Sequence, residues 1–462
     1  MGDVDVVGEL RARVGPGRVV DDPDVVESYR HDQAALTSAS AGRARAVVRA
    51  ASVDDVVAVL QVATATDTPV VTRGAGTGLA GGANAVDGCI VLSTAAMDAI
   101  LEIDPAARTA TVEAGVLNAD LAAAVARVGL WYPPDPASRA ISTIGGNIAT
   151  NAGGSCCLKY GVTGDHVAGL KAVLADGTVI RTGARTRKNV AGFDLTRLLV
   201  GSEGALAVVV EATLRLRPAP LPPSTLVAFF ATLAAAGDAV VGMEGVAEPS
   251  LLELMDRTTI GAVEAMTHMG LDTDAAALLL VQADSVAAAD EISRCAAACD
   301  AAGASYLAQT ADPEEGEQFL AARRSALPAL ERLGTVLLDD VAVPKPALTT
   351  MLGRIDAVAE HRGVVVGTFG HAGDGNLHPT LVLDASSPSS VADARLAFDD
   401  IVQAAVDLGG TITGEHGVGS LKLPYLAAML GPAESGLMAR IKGAFDPDGL
   451  LNPGRAIPTL SA

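Results

Sequence analysis

Apolar and polar positions alternate along this chain in short, readable blocks. Residues 44–49 (ARAVVR) predict a strand. Ser52 and Asp55 have the spacing of a capping box, and Val56, Val57, Leu60 and Val62 give the following helix its apolar side. PVVT at 69–72, GCIVLS at 88–93 and TATVEAG at 109–115 predict three more strands. Asn118 is placed to cap the next helix, which should end near Gly129. The run 170–183 alternates around Asp176-Gly177, a strong hairpin signal. ALAVVVEATLRLRP at 205–218 predicts a long strand closed by proline.

Four prolines within residues 217–225 (RPAPLPPST) mark a boundary. From there to about residue 440, alanine-rich helices alternate with short strands such as LLLVQAD and GVVVGTFG, an α+β pattern. The tail FDPDGLLNPGRAIP is again turn-rich. No internal repeat is visible. The expected division is residues 1–218 (core from about 40), residues 219–440, and a returning segment, 441–462.

At 462 residues the chain exceeds what one core serves. Half of it is hydrophobic, mostly through alanine and valine, yet no uninterrupted apolar run reaches membrane-spanning length. The start, MGDVDVVGELRARVG, has no apolar signal core, and Val6 stands where a myristoylation start wants Ser or Thr. A cytoplasmic location is expected. The net charge of -21 argues against nucleic acid or an anionic bilayer as partner, so any bound anion must be held locally. Five scattered cysteines fit reduced thiols better than a disulfide framework, with Cys295 and Cys299 as packing residues.

TRGAGTGLAGGAN, residues 72–84, formally contains G-x-G-x-x-G at Gly76, Gly78 and Gly81. A nicotinamide-type dinucleotide fold needs a helix to start there. Turn residues and then a strand follow instead, so the loop should join strand to strand. Its amides could form a nest around phosphate oxygens, or the loop could be a glycine-rich turn holding nothing. A second segment, residues 133–167, is long, rich in glycine and asparagine, nearly aperiodic and poor in charge. Such a loop inside a compact domain is usually functional.

These two segments, with GFDLTRLLVGSEGALAVV at 192–209, resemble flavoproteins of the vanillyl-alcohol oxidase / p-cresol methylhydroxylase superfamily. Within it the chain is similar to the D-2-hydroxy acid dehydrogenase branch, which includes glycolate oxidase flavin subunits, D-lactate dehydrogenases and D-2-hydroxyglutarate dehydrogenases. The resemblance implies an α+β architecture: a two-part FAD-binding domain of the p-cresol methylhydroxylase type with an α+β substrate cap. It implies that Arg73, Gly74, Ala75, Gly76, Thr77, Gly78 and Gly82 wrap the FAD pyrophosphate. Pro134, Asp135, Ser138, Ser142, Thr143, Gly145, Gly146 and Asn147 would follow the ribityl and isoalloxazine portion. Gly153, Gly154, Tyr160, Gly161, Asp165 and Val167 would continue that wall, with Glu203, Gly204, Val208 and Asn452 near the adenine end or the flavin edge. The first glycine loop offers no His or Cys for covalent attachment, so non-covalent FAD is expected.

The second half concentrates histidines. FGHAGDGNLHP holds His371, Asp374, Asn376 and His378, and TGEHGVGSLK holds Glu415, His416 and Lys422. A turn at Asp374-Gly375 would bring His371 and His378 together at the neck of two strands. Two imidazoles and a carboxylate suit a divalent transition metal with open positions, while polar strand ends satisfied by backbone are the other reading. The resemblance implies that His371, His378 and Glu415 bind metal (Zn, Mn or Fe), with His416 as base, Asn376 beside the reacting groups and Arg323 on the substrate carboxylate. A Thr and a Lys that hold a distal carboxylate in the 2-hydroxyglutarate branch fall on Leu327 and Leu338, which points to a small or apolar 2-hydroxy acid such as glycolate or D-lactate. An oxygen-using oxidase and a flavin subunit of a multi-chain glycolate oxidase are the alternatives. The electron acceptor (quinone, electron-transfer flavoprotein, cytochrome or iron–sulfur subunit) and a homodimeric state stay open.

Overall fold

The computed structural model describes residues 5–34, 37, 40–186 and 188–457. The chain forms two compact units. The first combines Met1–Gly153, Val162–Ala219 and Glu415–Ala462; the second combines Gly154–Gly161 and Pro220–Gly414. The chain passes to the second unit at Pro220 and returns to the first at Glu415. Eight residues of the glycine-rich second segment go with the second unit.

The first unit has a four-stranded sheet in the order Val19–Val20, Ala46–Arg49, Ile90–Ser93, Val70–Arg73. The last three strands are parallel. The helix Val53–Thr66 covers it, packing Val56, Val59 and Leu60 against Val48, Ile90 and Leu92. Ser52 caps this helix by accepting from the Asp55 amide at 3.2 Å. The reciprocal half of the box differs from expectation, because the Asp55 carboxylate reaches back to the Ala51 amide at 2.9 Å and also pairs with Arg18.

A five-stranded antiparallel sheet follows in the order Ile100–Asp104, Thr109–Glu113, Val208–Arg215, Val167–Val173, Val179–Gly183. Val208–Arg215 buries alternate residues, Val208, Val210, Ala212 and Leu214, as a strand with one face on the core must. The predicted long strand breaks after Arg215, and Arg217–Pro218 pairs instead with Leu130–Trp131. Asp176-Gly177 makes the expected hairpin, with Gly177 at φ +85°. Asn118 is not a cap. It is the first residue of the helix Asn118–Ala126, and its side chain donates to the Pro134 carbonyl at 3.1 Å. Residues 133–167 are less irregular than their composition implied, with short helices at Ile144–Thr150, Cys157–Tyr160 and Thr163–His166.

The second unit is built on an eight-stranded antiparallel sheet. Every residue of Ser224–Phe230, Leu251–Asp256 and Ala277–Ala283 is buried, so both faces are covered. One face packs against the helices Arg257–Thr267, Pro313–Arg324 and Ala326–Glu331, through Ile260, Val263, Ala322 and Leu330. Among the described residues, no helix is long and apolar enough to cross a membrane.

Candidate active site

The first glycine loop joins the parallel strands Val70–Arg73 and Ile90–Ser93 with no helix between them, as its turn chemistry predicted. Gly76 and Gly81 adopt φ +73° and +76°, where a side chain would be strained. A Cβ on Gly74 would lie 2.3 Å from Thr143 Oγ1. The two segments singled out in the sequence therefore touch. Thr143 caps Ile144–Thr150 by accepting from the Gly146 amide at 3.2 Å, and Gly145 donates to the Ala114 carbonyl at 2.8 Å.

Three distant pieces clasp the loop. Arg73 is buried and donates to the His31 carbonyl at 3.0 Å. Asn452 Nδ2 donates to the carbonyls of Gly82 at 2.9 Å and Glu203 at 2.6 Å. Arg455 Nε donates to the Gly81 carbonyl at 2.8 Å. Glu203, at φ +51°, accepts from the amides of Val418 (2.6 Å) and Gly419 (2.8 Å). Burial pushes its carboxyl up to about 7. Sequence reasoning missed Arg455 and Asp32, whose carboxylate faces Gly78, since no local period marks either.

Ser142 Oγ and Asn147 Nδ2 are buried without a hydrogen-bond partner. Stranded polar atoms of this kind are costly unless a ligand meets them, and both lie in the segment assigned to the flavin. Other assigned residues do structural work. Val208 is fully buried in the core. Val167 is buried at the start of its strand. Asp165 pairs with Arg197 at 2.8 Å and accepts from the Val162 amide. Gly154, Tyr160 and Gly161 belong to the second unit, where the Tyr160 hydroxyl donates to Asp284 Oδ2 at 2.6 Å.

In the second unit, Val365–His371 and Asn376–Leu383 pair around Ala372–Asp374, and Gly375 turns the chain at φ +72°. The imidazoles of His371 and His378 meet edge to face, 5.2 Å between centroids, and both are buried. His371 Nδ1 lies 2.6 Å from Glu253 Oε1. The other oxygen of Glu253 is 2.6 Å from Arg323 Nε, and the guanidinium stacks 4.7 Å from the centre of the Phe369 ring. Burial works to raise the Glu253 carboxyl, but Arg323 and His371 outweigh it and hold it below the usual range. Arg323 is thus neither a solvated helix residue nor a cation without a partner.

Asp340 Oδ1 accepts from Asn376 Nδ2 at 2.8 Å and lies 3.7 Å from His378 Nδ1. Its Oδ2 accepts from Thr413 Oγ1 (2.7 Å) and the Gly414 amide (2.9 Å). The Asn376 amide also donates to the Val341 carbonyl at 3.0 Å, which makes this residue a strut of the hairpin. Leu327 and Leu338 pack against the same apolar cluster as Phe369.

Glu415 and His416 open the last segment of the first unit. A Cβ on Gly153 would sit 2.3 Å from Glu415 Oε2, and one on Gly417, at φ +89°, would sit 3.0 Å from Glu203 Oε1. His416 Nε2 lies 3.8 Å from Glu415 Oε1. The pair is therefore lodged between two loops assigned to the flavin.

The family described as FAD linked oxidases, C-terminal domain, matches residues 221–456, and an FAD binding domain matches residues 44–183. The chain belongs to the FAD-linked oxidases. This member is 43% identical over 414 residues to the glycolate oxidase subunit GlcD of Bacillus subtilis (strain 168), covering 89% of this chain and 88% of that one. It is 34% identical over 456 residues to the D-lactate dehydrogenase of Anaerostipes hadrus, covering 96% and 95%. Among solved structures, p-cresol methylhydroxylase with substrate bound superposes with a TM-score of 0.80 at 18% identity, covering 98% of this chain and 96% of that one. The chain therefore has the α+β fold of the p-cresol methylhydroxylase type and is a flavoprotein oxidoreductase using FAD. Its paired glycine loops and the stranded polar atoms of Ser142 and Asn147 fit that cofactor.

Proposed function

We propose that this FAD-linked oxidase converts a D-2-hydroxy acid of the glycolate or D-lactate type to the 2-oxo acid. The observation that carries the reading is the hairpin neck, where two buried imidazoles stand together with a carboxylate near each, Glu253 and Asp340. The named activities of the GlcD and D-lactate dehydrogenase relatives support the substrate class. Leu327 and Leu338 favour a small or apolar side chain over a second carboxylate.

The reaction removes a hydride from the substrate Cα and a proton from its hydroxyl, leaving a C=O bond. Non-covalently bound FAD supplies the two-electron acceptor. A divalent ion on His371, His378 and Glu415 would supply the Lewis acid that eases ionisation of an alcohol. In this reading His371 and His378 orient the hydroxyl, and a ring nitrogen of His416 accepts its proton, for which an imidazole is suited near neutral pH. Gly417 lets His416 approach closely through its positive φ. Arg323 is already charge-balanced by Glu253, so it would bind the substrate carboxylate only through the remaining guanidinium donors.

Anaerobic titration of the purified protein with matched D- and L-2-hydroxy acids tests the reading. Flavin bleaching by the D-series of small acids is expected, with FAD released intact by acid precipitation. Bleaching by neither series would overturn it. A second reading, a flavin subunit of a multi-chain glycolate oxidase, is favoured by the subunit names of the relatives. Co-purification of an iron–sulfur protein would support that assembly.

A further inference from the structure

Glu253 stands in a central strand, Leu251–Asp256, whose residues are buried on both faces. A carboxylate there is costly to bury unless fully paired. Leu254 lies opposite Gly370 and Met255 opposite Phe369, so the antiparallel register brings Glu253 level with His371 on the same face of the sheet. One oxygen meets His371 Nδ1 and the other Arg323 Nε, each at 2.6 Å.

A neutral imidazole whose Nδ1–H donates a hydrogen bond to a carboxylate keeps the lone pair on Nε2. It is also a better donor, because the carboxylate stabilises the positive charge that ligation draws onto the ring. We infer that Glu253 is a positioning residue for the metal proposed above: it fixes the tautomer and rotation of His371 so that Nε2 is presented as the ligand atom. Arg323 is the second half of the device. Its guanidinium holds the free oxygen of Glu253 and is itself stacked on Phe369, the neighbour of Gly370 on the strand that carries His371. One oxygen of the carboxylate is hydrogen-bonded to His371 and the other is charge-paired with Arg323, so His371 cannot turn without breaking a buried pair.

The inference rests on the metal reading, and the test separates the two. The FAD-loaded full chain is titrated with Zn2+ against a chromophoric chelator, and the Co2+ form is followed by its visible absorption. Parent protein that binds neither ion overturns the metal reading. Given a binding parent, Glu253→Gln should weaken Zn2+ affinity about 10–100-fold and shift the Co2+ bands, with FAD content unchanged. Loss of charge balance alone could weaken binding as well, so Glu253→Gln is combined with Arg323→Met. If Glu253 positions His371, the double variant stays weak. Parental Zn2+ affinity in the double variant, or in Glu253→Gln itself, overturns the inference. If Glu253→Gln does not fold, Glu253→Asp is used, with the same loss expected from its shorter reach and parental affinity again refuting.

Discussion

Gly74→Ala probes the contact between the two loops of the FAD-binding unit. The added Cβ would fall 2.3 Å from Thr143 Oγ1, far inside van der Waals contact. Thr143 is β-branched, so rotating the hydroxyl away is restricted, and it also breaks the cap on Ile144–Thr150. Losing such a cap costs about 1 kcal/mol, and overpacking adds about 1–3 kcal/mol. At roughly 2–4 °C per kcal/mol for a unit of this size, the flavin-free protein should melt several degrees lower. Thr143→Ala alone should cost only the cap. In the double variant the nearest remaining atom is the residue 143 Cβ at 3.5 Å, an ordinary contact. The double variant should therefore be about as stable as Thr143→Ala alone, giving a coupling of about 2–4 kcal/mol in the cycle. Circular dichroism melting of the four flavin-free proteins measures this. Strictly additive losses, or a Gly74→Ala protein that melts with the parent, would refute the proposed contact.

Two further predictions concern chemistry and pH. His416→Asn should retain FAD but reduce it at least about a hundredfold more slowly in anaerobic single-turnover mixing with substrate, and a near-parental rate would place the base elsewhere. Glu203 has a carboxyl raised from 4.5 to about 7 by burial. Its contribution to stability is therefore full below pH 4.5 and is lost as pH rises through about 7, up to about 3 kcal/mol. Glu203→Gln should flatten the fall in unfolding free energy between pH 5 and pH 8, and an unchanged pH profile would show that the carboxylate does not titrate in that range.

Local features were legible in the sequence because their causes are local. The Ser52 cap, the Asp176-Gly177 hairpin and the turn at Gly375 each depend on a few consecutive residues. The strand-to-strand nature of the first glycine loop followed from the missing helix signal. Asn118 misled because a good capping residue in first position found a better partner in the Pro134 carbonyl. The partners of the site residues were invisible for a different reason. Glu253 reaches His371 across 118 positions and Asn376 meets Asp340 across 36, through strand register that no short window encodes. One signal was available: a glutamate in the middle of a run as apolar as LLELM has to be paired once the strand is buried.

The first unit is threaded through the chain in three pieces, and Asn452 ties Gly82 to Glu203 from the last of them. During synthesis that residue leaves the ribosome only after the entire second unit. The first glycine loop thus stays unclasped while most of the polypeptide has already been made. If cofactor capture needs this clasp, a ribosome-stalled chain ending before the final segment should be colourless even with its glycine motifs complete. The same threading interrupts the first unit with the second, so the two cannot be separated by a single cut.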